Sequence, residues 1–115
     1  MAIVKSTKET QKTVVFMGNK IKVLRGLVMK AEERLLNAGY EDVKYLVNES
    51  YDDALIGVSE DGRAIYDFDK MVDWLVDKYS WTDEEAVEWI EVNTLRALPY
   101  FGEDAPIIMY SLPLE

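Results

Sequence analysis

The sequence contains no cysteine and no histidine. Without thiols there is no disulfide framework and no sulfur nucleophile. Without imidazole there is no base titrating near neutrality and no typical zinc or copper site. Most familiar hydrolase constellations are thereby excluded, and no cofactor is expected. Proline and glycine are scarce, at three and six of 115 residues, which argues against disorder. No apolar run approaches the roughly 18 residues of a membrane span, and the first residues lack the apolar core of a signal peptide. A soluble, cytoplasmic protein is expected.

What is present is an ordered composition, 49% hydrophobic and 30% charged, on a chain long enough for one domain over residues 1–115 if both halves contribute to its core. The final Leu114-Glu115 reads as a vector scar. Charge divides the chain by position. Residues 1–50 carry nine Lys/Arg against six Asp/Glu, and residues 51–115 carry four against sixteen, giving +3 and −12. The basic side chains crowd the start (Lys5, Lys8, Lys12, Lys20, Lys22, Arg25, Lys30), where Glu9 is the single acid of the first thirty residues. An acidic half repels nucleic acid and attracts basic partners. The expected partner is therefore a protein, a basic one or a second copy docked basic half to acidic half; nucleic acid and membrane are disfavoured.

Hydropathy patterning predicts a strand at residues 13–17 and a helix over residues 20–38, with apolar side chains at spacings of three and four and a stop at Gly39. Alternation of Val43, Tyr45 and Val47 predicts a second strand. Residues 54–58 and 64–66 flank a link with Asp61-Gly62 at its tip, which predicts a β-hairpin. A helix follows, beginning around Asp67 to Asp69 with a carboxylate at its cap, and Phe68, Met71, Val72, Leu75 and Tyr79 make its apolar stripe. Thr82 and Glu85 have the spacing of a capping box. They open a helix that runs to about Leu98 and turns Ala86, Trp89 or Ile90, Asn93 and Ala97 inward. Residues 107–110 read as a last strand. Helices and strands that do not alternate regularly indicate an α+β fold, a small mixed sheet against one N-terminal helix and a C-terminal pair.

The stretches YDDALIGVSEDGRAIYDFDKMVDWL (residues 51–75) and DEEAVEWIEVNTLRALPYFGEDAPIIMY (residues 83–110) resemble a family of short proteins encoded in bacteriophages and mobile elements of Firmicutes and related gut bacteria. The likeness covers just over half the chain. It implies a phage or prophage setting and carries no established activity.

Four groups of residues are candidates for function. Asp73 and Asp77 on the second helix, with Glu84, Glu88 and Glu91 on the third, line outer faces from which carboxylates can imitate phosphate spacing, as in a DNA mimic that blocks a nucleic-acid-binding protein. Trp74, oblique to the apolar stripe of its helix, is the tryptophan most open to a partner, the others being read as core. Tyr66, Asn93 and Arg96 are candidates for a polar pocket floor, with Asn93 also placed to tether the 99–106 loop. Asp52 and Asp53 with Asp67 and Asp69 form the alternative, a carboxylate cluster for magnesium and phosphoryl transfer or nuclease chemistry. A further alternative is weak nucleic-acid binding through the basic start.

Overall fold

Backbone pairing rather than hydropathy sets the first strand. The structure, a computed structural model, describes residues 2–8 and 30–114. The strand expected at residues 13–17 and residues 20–29 of the first expected helix lie outside them, as do Lys12, Lys20, Lys22 and Arg25. Strand β1 (Val4–Ser6) pairs antiparallel with β2 (Lys44–Leu46), Val4 opposite Leu46. Fully buried Thr7 extends the ladder: its N–H donates to the Val43 carbonyl at 2.8 Å and its Oγ1 accepts from the Val43 N–H at 2.7 Å.

Helix α1 (Ala31–Asn37) turns Ala31 and Leu35 inward. It stops where the sequence places the stop. Gly39, at φ +93°, donates to the Leu36 carbonyl, and Tyr40 donates to the Leu35 carbonyl, both at 3.0 Å. These two bonds close a Schellman motif, which needs a left-handed residue at that position.

The predicted hairpin forms from β3 (Leu55–Val58) and β4 (Ala64–Asp67). The register slips between Leu55 and Gly57, so Ile56 is the extra residue of a bulge. Strand β5 (Ile107–Met109) pairs parallel with β4, so the order is β3-β4-β5 and the sheet is mixed. The described strands form two sheets, not one, because β1 and β2 pair with each other. The α+β class holds.

Between β4 and β5 run helices α2 (Phe68–Tyr79) and α3 (Asp83–Ile90). Asp67 caps α2 by accepting from the Lys70 N–H at 3.3 Å. The capping box of α3 is complete, with Glu85 N–H to Thr82 Oγ1 at 3.1 Å and Thr82 N–H to Glu85 Oε1 at 2.9 Å. Helix α3 does not run on regularly to Leu98. Residues Glu91–Leu95 form a π turn, in which the Arg96 N–H reaches back five residues to the Glu91 carbonyl. The wider turn brings Thr94, not Asn93, to the inward position after Ile90. Thr94 is fully buried and Asn93 only half-buried.

Buried side chains of both charge halves form one cluster, from Ala2, Leu35, Tyr45 and Leu46 to Tyr66, Met71, Leu75, Ala86, Ile90 and Ala97. Each large side chain taken from water contributes roughly 1.5–3 kcal/mol. Tyr51 lies in this cluster at φ +47°, left-handed geometry that costs a non-glycine residue about 1–3 kcal/mol. Its hydroxyl shares a 2.8 Å hydrogen bond with Thr94 Oγ1, and its ring meets Trp74 at 5.5 Å. The π turn and the strained tyrosine are thus coupled through one buried bond.

Candidate functional site

Helical spacing decides which acids face out. On α2, burial of Met71, Val72 and Leu75 leaves Asp73 and Asp77 exposed one turn apart. On α3, burial of Ala86 and Ile90 leaves Glu84, Glu88 and the following Glu91 along one exposed stripe. Helices α2 and α3 pack against each other. Like charges one turn apart destabilise a helix by roughly 0.2–0.5 kcal/mol per pair. Among the described residues the two ion pairs are Lys44 with Asp104 at 2.6 Å and Lys78 with Glu49 at 2.7 Å, so none of these five carboxylates is paired. Among the described residues no cation relieves the repulsion on this face.

Beside this stripe lies a row of rings. Tyr79 stacks on Trp81 at 4.6 Å and 22°, and Trp81 meets Trp89 at 6.4 Å. The row has a local cause, because Ser80, in left-handed geometry at φ +57°, closes α2 just before the N-cap of α3. Trp81, Trp89, Glu85, Glu88, Val92 and Asn93 line an open cleft of about 360 Å³. Trp81 and Trp89 are half-buried, and Val92 is 47% exposed. The sequence signal was the spacing Trp81, Glu85, Glu88/Trp89, Val92, which keeps one helical face; reading the tryptophans chiefly as core passed over it.

Trp74 is half-buried, with Lys78 Nζ 4.7 Å from its ring centroid. That lysine is also 5.2 Å from the Tyr79 ring, and Glu49 accepts from both Lys78 and the Tyr79 hydroxyl. The bond to Glu49 raises the Lys78 pKa above its ordinary value despite some desolvation. Trp74 therefore already has a cation over it.

The three residues considered for a polar floor have different partners. The Tyr66 hydroxyl accepts from the Leu46 N–H at 3.0 Å inside the core, and burial pushes its pKa up. Asn93 Nδ2 donates to the Trp89 carbonyl at 3.1 Å, and the Asn93 carbonyl accepts from the Ala2 N–H at 2.7 Å. Arg96 is exposed. The 99–106 loop is held by other cations: Lys44 Nζ donates to the Phe101 carbonyl at 2.8 Å and Arg63 Nε to the Ala105 carbonyl at 2.8 Å.

The carboxylates considered for a metal do not converge, and no group of three acidic side chains among the described residues can hold a metal ion. Asp52 instead accepts from the Ala31 N–H at 2.9 Å and from Ser50 Oγ at 3.1 Å, fixing the start of α1 from outside it. Asp67 is buried, and desolvation would raise its pKa. The Ser111 hydroxyl at 2.8 Å and the N–H groups of Lys70 and Asp69 outweigh this and hold its carboxyl below the ordinary range. Asp53 and Asp69 are exposed. Capping uses two of the four charges, Asp52 and Asp67, that metal binding would need.

A second cleft, of about 410 Å³, is lined by Lys5, Lys30, Glu32, Tyr45, Ser50 and Asp52 among others. Its charges are mixed, and desolvation raises the Glu32 pKa. Among the described residues no helix is long and apolar enough to cross a membrane. Comparison of the chain with protein-family models, curated proteins and solved structures finds no match in any of the three.

Proposed function

We propose that this chain is a non-enzymatic binding protein that uses the acidic face of α2 and α3 to engage a basic partner protein. The observation that carries this reading is the set of exposed carboxylates Asp73, Asp77, Glu84, Glu88 and Glu91 on adjacent helices, which no cation among the described residues pairs. A surface that repels itself gains most from a partner of opposite charge, which steers association and is weakened by salt. The resemblance to phage and mobile-element proteins supplies the setting: a phage-related accessory factor that occupies the basic channel of a host nucleic-acid-binding protein as a DNA mimic.

The test compares the chain with its variant D73N/D77N/E84Q/E88Q/E91Q, both immobilised and exposed to host lysate at low salt. Recovery of one basic nucleic-acid-handling protein by the parent alone, released by salt and displaced from DNA by the parent in solution, is the expected result. Equal recovery by both chains would sink the acidic-face mechanism.

A further inference from the structure

We propose that the cleft lined by Trp81, Trp89 and Glu88 is a receptor for an arginine side chain presented by the basic partner. This rests on the reading above and assigns the specific contact within it. Two half-buried indoles, whose ring centroids lie 6.4 Å apart, line it together with exposed Glu88. Glu85 Oε1 is engaged in the capping box, so the carboxylate free to meet a guest is that of Glu88.

The chain itself provides a precedent for the chemistry. Lys78 sits over Trp74 and beside Tyr79 while bonding Glu49, so a cation, two rings and a carboxylate form one assembly. The neighbouring set, Trp81, Trp89 and Glu88, has the same components without the cation among the described residues. A cation over an indole face is attracted by the ring quadrupole. Guanidinium fits better than ammonium, because it is planar, weakly hydrated and able to stack on a ring while forking onto a carboxylate. The surrounding Glu84, Glu91, Asp73 and Asp77 draw in the rest of a basic segment without distinguishing lysine from arginine.

Hexaarginine and hexalysine peptides, titrated calorimetrically at low ionic strength into the full chain, separate the two levels of recognition. The expected result is that hexaarginine binds about tenfold more tightly. That preference should disappear in W89L and in E88Q, the second being an exposed site whose substitution leaves the core intact. D73N/D77N should weaken both peptides equally and preserve their ratio. The indole N–H resonances of Trp81 and Trp89 should move on adding hexaarginine, with that of Trp74 moving least. Equal binding of both peptides, with W89L and E88Q leaving their ratio at one, would overturn the arginine receptor and leave the acidic-face reading intact. Failure of both peptides to bind would overturn both readings.

Discussion

The carboxylates of Asp52 and Asp67 and those on the outer faces of α2 and α3 belong to the same acidic half of the sequence, yet they do different work. Asp52 and Asp67 accept from backbone N–H groups and hydroxyls, and each fixes the first turn of a helix. Asp73, Asp77, Glu88 and Glu91 project from the middle or end of helical segments, Glu84 projects from a first turn capped by Thr82 instead, and no described cation pairs with any of the five. Net charge therefore says little about the role of an individual acid. The presence of an orphan donor within about 3 Å decides whether a carboxylate builds the fold or remains available to a partner.

The sharpest way to break this contrast is to remove the outer set alone. Neutralising all five outer carboxylates should weaken binding of a basic partner roughly a hundredfold, about 0.5 kcal/mol for each lost contact. Its melting temperature should hold or rise, since self-repulsion is relieved; scanning calorimetry would show this, and a marked drop would mean these acids are structural after all. The converse substitution, Asp67→Ala, should cost about 1–2 kcal/mol in urea denaturation at pH 7 and leave partner affinity unchanged. Because the folded Asp67 pKa is lowered, its contribution is present above the unfolded value near 3.9 and is lost as pH falls through the lower folded value. The parent-minus-variant stability difference should therefore shrink on acidification below about pH 4. Asp52→Ala should cost about 1 kcal/mol by the same assay, as the loss of a helix cap supplied from a distant segment. Smallest of all, magnesium should shift the melting temperature of the parent and of the D67N/D69N variant equally, and a shift specific to the parent would revive the metal reading.

Local signals in the sequence were sufficient where structure is decided locally. The Thr82/Glu85 box, the Gly39 stop, the hairpin around Asp61-Gly62 and the Asp67 cap all depend on residues within a few positions of one another. What escaped depends on distant partners. Strand β1 is held by residues some forty positions away, so its short apolar patch gave no period to read. The capping of α1 by Asp52 crosses 21 positions, and no pattern announces it. The π turn misled the inward register by one residue, exchanging Asn93 for Thr94, because hydropathy periods assume a constant helical pitch. The Trp81–Trp89 cleft escaped for a different reason, because large aromatic side chains near an apolar stripe read as core when they are in fact half-buried.

The extra residue of the π turn has an evolutionary consequence. Val92 and Asn93 belong to the widened turn and also line the cleft, so the lining depends on a local length difference as well as on side-chain identity. Deleting Val92 would let the ladder close at ordinary pitch while removing one lining residue from the cleft. In a lineage, recognition would then be gained or lost by the insertion or deletion of a single codon. Relatives one residue shorter here should keep the fold and lose the discrimination between arginine and lysine.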